Sequence, residues 1–182
     1  MTSWMPGAIS NTVNDMKKAI FFDRDGTLNE EVHFLHKIED FVWTEGAIEA
    51  IKFCNDHNYL AIVITNQSGV ARGYYPEENI MKLHQWMNDQ LKGHGAHLDG
   101  IYYCPHHPEG IIGKYALKCN CRKPLPGMLL RAEKDFDIDM AKSYLIGDGA
   151  RDVECAEAAG VKGIRYTGGN LYQALMDGMK EN

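Results

Sequence analysis

The chain has 182 residues, 45% of them hydrophobic, and a formal net charge of −6. That length supplies one sizeable core and the sequence shows no internal repeat, so a single domain is expected. The acidic balance excludes a broad nucleic-acid footprint, which would need clustered Lys and Arg to displace counterions from phosphates.

Residues 1–16 read as a polar, flexible leader, and 17–182 as the domain that follows. The leader lacks the basic start and apolar run of a signal peptide, and no apolar segment of about twenty residues follows it. A cytoplasmic protein without membrane association is therefore expected. The first apolar run, Ala19-Ile20-Phe21-Phe22, has the ring and branched side chains of a buried strand. It ends abruptly in Asp23-Arg24-Asp25-Gly26-Thr27. Two carboxylates two positions apart, beside a glycine that leaves backbone N–H groups open, can hold a hard divalent cation and an anion together. An isolated Asp-x-Asp is more often a plain strand-terminal turn, so its meaning depends on the rest of the chain.

The segment from Leu28 to Phe41, with Glu31, Val32, His33 and Phe34, stands where a loop after the first strand would overhang its end. It is either a substrate-selecting loop or a surface connection. Apolar spacing from Gly46 to Asn55 predicts a helix with Cys54 on its core face. Tyr59 to Ile64 is a second buried strand that delivers Thr65-Asn66-Gln67-Ser68-Gly69, the hydroxyls, amides and glycine of an anion site. Pro76-Glu77-Glu78 opens a helix with Ile80, Leu83, Met87 and Leu91 at helical spacing.

A third strand at Gly100–Tyr103 leads into Cys104-Pro105-His106, and the pattern closes with Cys119-Asn120-Cys121. Three thiols and an imidazole in two close pairs suit tetrahedral zinc in a closed, structural site over about 104–121. Disulfides are the other use of cysteines, but five is an odd number and the expected compartment is reducing. Arg122-Lys123 follows directly, two cations fixed between the thiols and Pro124, and so placed to meet an anion. A helix from Pro126, a strand at Ser143–Gly147, the carboxylates Asp148 and Asp152, a helix to Gly160, a strand at 162–167 and a terminal helix complete the chain.

Alternating short strands and helices indicate an α/β sandwich with a mostly parallel sheet. Parallel strands share one carboxyl edge, where Asp23, Asp25, Thr65, Lys123 and Asp148 can meet. Carboxylates for Mg²⁺, a hydroxyl and an ammonium for phosphoryl oxygens, and a free aspartate point to phosphoryl transfer.

Asp23-Arg24-Asp25-Gly26-Thr27, Thr65, Lys123 and Gly147-Asp148 with Asp152, in that order, resemble the four motifs of the haloacid dehalogenase-like phosphatases. Thr65 to Gly73, Tyr103 to Pro108 and Cys119 to Pro124 further resemble the D-glycero-D-manno-heptose 1,7-bisphosphate 7-phosphatases. The resemblance implies a Rossmann-like three-layer sandwich with a minimal cap and a zinc-binding loop. It implies that Asp23 attacks the C7 phosphate and that Asp25 serves as proton donor and then base. Asp23, the Asp25 carbonyl and Asp148 would bind Mg²⁺, and Cys104, His106, Cys119 and Cys121 would bind Zn²⁺. Thr65 and Lys123 would hold phosphoryl oxygens, while Glu31, Val32, His33, Phe34, Asn66, Gln67, Ser68, Arg122 and Gly149 would contact the substrate. Asp152 is placed to orient Lys123 or the metal site. The implied enzyme is a cytoplasmic monomer acting on a small sugar bisphosphate in ADP- or GDP-heptose biosynthesis. Histidinol-phosphate phosphatases and polynucleotide 3′-phosphatases share parts of the pattern, and a non-catalytic zinc-stabilised binding module is the reading from another class. One departure is local: where the family reads acidic-His-Gly-Tyr-Val, this chain has Glu31-Val32-His33-Phe34-Leu35.

Overall fold

The computed structural model describes residues 16–181, and the expected leader falls almost wholly outside them. Five strands form one sheet: β1 (Lys18–Phe22), β2 (Tyr59–Asn66), β3 (Gly100–Cys104), β4 (Tyr144–Gly147) and β5 (Lys162–Arg165). Their spatial order is β3-β2-β1-β4-β5, and every neighbouring pair is parallel. The helices are α1 (Ala47–Asp56), α2 (Glu77–Gly93), α3 (Gly127–Phe136), α4 (Ala150–Ala158) and α5 (Leu171–Glu181).

Strand alternation builds two cores. Ile20 and Phe22 of β1, with Ala61 and Val63 of β2, join the inner faces of α1, α2 and α5. Ala19 and Phe21, with Ile62 and Ile64, join α3 and α4 on the opposite face. A sheet covered on both sides has no solvent face, which is why its strands read as continuous apolar runs. Each such fully buried Phe or Ile side chain contributes about 1.5–3 kcal/mol. The result is a three-layer α/β sandwich.

The strand order also locates the site. The chain steps outward from β1 through β2 to β3, then crosses to β4 on the other side of β1. Parallel sheets open a crevice at such a reversal, at the carboxyl ends of the strands. Asp23 follows β1 there, Asp148 follows β4, and Lys123 lies in the crossing connection between β3 and α3.

Candidate active site

At the β1–β4 reversal, ligand atoms of Asp23, Asp148 and Asp152 lie within 4.8 Å of one another. Asp23 is 3% exposed and Asp152 fully buried, so their charges are scarcely screened by water. Lys123 sits between them, with Nζ 2.8 Å from Asp23 Oδ1 and 2.6 Å from Asp152 Oδ1. Its third donor direction goes to the Ile64 carbonyl at 3.0 Å. Burial works against the ammonium, but the two carboxylates outweigh it and hold Lys123 protonated beyond its usual range. Burial likewise pushes the Asp23 carboxyl up to about 7, against the pull of Lys123. Three carboxylates against one ammonium leave a formal surplus of two negative charges.

That surplus and one orphan atom test the fit of a divalent cation. Asp148 Oδ1 is buried without a hydrogen-bond partner. Its other oxygen crowds Gly26: a Cβ there would stand 2.5 Å from Asp148 Oδ2, and Gly26 has φ +76°. Only glycine meets both demands, so the Asp-x-Asp-Gly turn and the β4 carboxylate are built as one unit. Hard, oxygen-only donors with a net charge of minus two fit Mg²⁺.

Asp25 is held by a separate network. Fully buried Arg24 donates to it from Nε (3.0 Å) and Nη2 (2.9 and 3.0 Å), a forked contact that fixes the carboxylate plane. Asn29 Nδ2 (3.2 Å) and Gln67 Nε2 (2.8 Å) add two more donors. Gln67 also donates to Thr65 Oγ1 and accepts from the Tyr75 hydroxyl. Behind Arg24, its Nη1 meets His84 Nε2 at 3.1 Å. Burial and the adjacent guanidinium hold His84 well below the ordinary imidazole value, so Nε2 is the acceptor and the ring is neutral.

A cavity of about 200 Å³ opens over these groups. Its lining includes Asp23, Asp25, Glu31, His33, Phe34 and, from the segment after β2, Thr65, Asn66, Gln67 and Ser68. Arg122 closes one side of it. Three residues expected at the substrate are not part of this cavity's lining. Val32 packs on the apolar core, because its neighbour Leu35 is buried and draws the loop inward. Lys123 does not itself line the cavity but pairs with Asp23, which does, and the Gly149 N–H is taken by Asp152 Oδ2 at 2.9 Å. The Lys123 backbone is pinned by Asn66, whose amide donates to the Lys123 carbonyl (3.1 Å) and accepts from its N–H (3.0 Å). Asn66 therefore both lines the cavity and fixes the lysine.

The second cluster joins Cys104, His106, Cys119 and Cys121. The sulfurs stand 3.3–3.6 Å apart, and His106 Nδ1 is 3.7 Å from Cys104 Sγ and 3.4 Å from Cys121 Sγ. Tetrahedral zinc with sulfur ligands at about 2.3 Å implies edges of roughly 3.8 Å, which these approach. Hydrogen bonding from Cys104 draws the Cys121 thiol down to about 5, while Cys104 itself is raised. The loop leans on the segment after β2, where the Ala71 carbonyl accepts from Ile111 (2.8 Å) and Ile112 (3.0 Å).

Sequence reasoning missed Arg24, Asn29, His84, Tyr75 and Arg151. Arg24, between two acids, reads as a solvated charge. His84 alone carried a signal, since it stands next to Leu83 on the apolar stripe of α2.

A parallel sheet with an acidic cluster and a buried lysine at its topological reversal defines a haloacid dehalogenase-like hydrolase. The HAD-hydrolase-like family model matches residues 120–180. A Haemophilus ducreyi protein named D-glycero-beta-D-manno-heptose-1,7-bisphosphate 7-phosphatase is 52% identical over 80% of this chain and 80% of its own. A Photorhabdus laumondii protein named for the alpha anomer is 45% identical, covering 79% of each chain. Among solved structures, the D,D-heptose 1,7-bisphosphate phosphatase from B. bronchiseptica complexed with magnesium and phosphate is 31% identical with a TM-score of 0.75. That match spans 88% of this chain and 86% of the other. The chain belongs to the D-glycero-D-manno-heptose 1,7-bisphosphate 7-phosphatase family and is a phosphoric monoester hydrolase.

Proposed function

We propose that this protein removes the C7 phosphate of D-glycero-D-manno-heptose 1,7-bisphosphate through an aspartyl-phosphate intermediate. The observation that carries the reading is the convergence of Asp23, Lys123, Asp148 and Asp152 at the β1–β4 reversal, with Asp23 opening into the cavity. It is joined by relatives of that name at about half identity.

Asp23 attacks phosphorus and the ester bond to the sugar C7 oxygen breaks. Asp25, oriented by Arg24, Asn29 and Gln67, gives its proton to that leaving oxygen and later takes one from the water that releases phosphate. Thr65 and the Lys123 ammonium stabilise charge on the phosphoryl oxygens, with Asp152 keeping Lys123 in place. Asp23, Asp148 and the Asp25 carbonyl would hold Mg²⁺. When bound, that ion offsets repulsion between the Asp23 carboxylate and the phosphate dianion. Glu31, His33, Phe34, Ser68 and Arg122 surround the sugar. Cys104, His106, Cys119 and Cys121 would hold Zn²⁺ in a closed structural site that fixes Arg122 and Lys123 just beyond it. Residues 17–182 act as one catalytic domain, a cytoplasmic monomer working on a small soluble substrate. Among the described residues no helix is long and apolar enough to cross a membrane.

The test compares kcat/KM for both anomers of the heptose bisphosphate with that for histidinol phosphate at matched ionic strength. A preference of at least about tenfold for a bisphosphate is expected, the discrimination that one charge-assisted contact supplies. A higher value on histidinol phosphate overturns the assignment.

A further inference from the structure

Two guanidinium groups share the cavity, and only one of them follows the sequence motif. Arg122 and Arg151 both line it above Asp23 and Asp25. Arg151 belongs to the first turn of α4 and is an exposed residue. Its stem folds back over Gly149, where a Cβ would stand 3.2 Å from Arg151 Cγ and 3.3 Å from Arg151 Nε. Any side chain at 149 would crowd that path, so the glycine lets Arg151 reach back to the strand ends. Arg122 makes one long contact, Nη1 to the His106 carbonyl at 3.5 Å.

Among the described residues neither arginine is in an ion pair. The floor carboxylates are already engaged, Asp23 by Lys123 and Asp25 by Arg24. Glu31 on the rim stays outside ion-pair distance of Arg151, although the two charges sense each other. Two guanidiniums lining one cavity, neither in an ion pair, repel each other in the free protein, and a bound anion relieves that repulsion.

We propose that Arg151 completes, with Arg122, the subsite for the substrate's second phosphate, and that it sets the preference for a bisphosphate over a monophosphate. The inference rests on the sugar-bisphosphate reading above. Planar guanidinium forks match a phosphate's oxygens in pairs, which a glycine at 149 alone could not do.

The experiment measures kcat/KM on D-glycero-D-manno-heptose 1,7-bisphosphate and on the 7-phosphate, which keeps the scissile group and lacks the second. Wild type, Arg151→Met and Arg151→Lys are compared. The expected result is a wild-type preference for the bisphosphate that falls about 10- to 100-fold in Arg151→Met and is partly restored in Arg151→Lys. The melting temperature should move little, because Arg151 is exposed. A wild-type preference that survives intact in Arg151→Met overturns the role of Arg151 and leaves the proposed function standing. A wild type that treats both esters alike overturns the bisphosphate reading, and this inference with it.

Discussion

The acidic cluster at the strand ends and the thiol cluster beside it are both built like metal sites, but they are assembled in opposite ways. Asp23, Lys123, Asp148 and Asp152 come from three separate segments of the chain and meet only because the sheet brings strand ends together. Cys104 ends β3, and His106, Cys119 and Cys121 follow in the one excursion from it to α3. The acidic site opposes folding: it buries like charges, and only Lys123 offsets them. The thiol site favours folding once a soft cation is present, because the cation would tie His106, Cys119 and Cys121 to the strand end at Cys104. The two meet at Arg122-Lys123, where the segment leaving Cys121 delivers the lysine to Asp23.

The contrast breaks if the clusters respond alike to losing one member. Asp23→Asn keeps the volume and removes a buried charge whose pKa is already raised. Phosphatase turnover should fall by at least about 10³-fold, while the denaturation midpoint corresponds to a change within about 1 kcal/mol. Retained turnover would end the covalent mechanism.

Cys119→Ser should do the reverse in emphasis. Elemental analysis should show zinc lost, and stability should fall by more than about 3 kcal/mol, with activity declining because Lys123 loses its anchor. Unchanged metal content and unchanged melting would remove the zinc assignment.

The smallest effect sharpens the comparison within the acidic half. His84 is buried neutral against Arg24, so its folded pKa lies well below 6.5 while the unfolded imidazole titrates near 6.5. Below that pH the unfolded chain binds the extra proton, so stability is full above 6.5 and is lost as pH falls through it. His84→Gln should cost about 1 kcal/mol at pH 8 and flatten this dependence between about pH 5 and 7. Equal pH slopes in both proteins would show that His84 takes up its proton alike in the folded and unfolded chains, and would overturn the buried neutral ring.

Much of this was legible from residue order. Each predicted strand and helix is present, because a sheet covered on both faces demands apolar runs and amphipathic helices show their period directly. The thiol quartet was legible for the same local reason: ligand type and spacing sit within one loop. That Val32 packs on the core, that Lys123 bridges two aspartates and that the Gly149 N–H is taken by Asp152 was not legible, because each depends on which residues the folded connections bring alongside.

By itself the sequence determined the order of elements, the donor chemistry at each strand end and the zinc-type quartet, since these depend on short-range periodicity and on the identity of a few adjacent side chains. Only the tertiary structure decided that Lys123 bridges Asp23 and Asp152, that Arg24 and His84 stand behind Asp25, and that Arg151 crosses Gly149 into the cavity. Lys123 and His84 reach their partners from distant segments of the chain, and buried charges choose partners by distance and desolvation, neither of which exists until the sheet has formed.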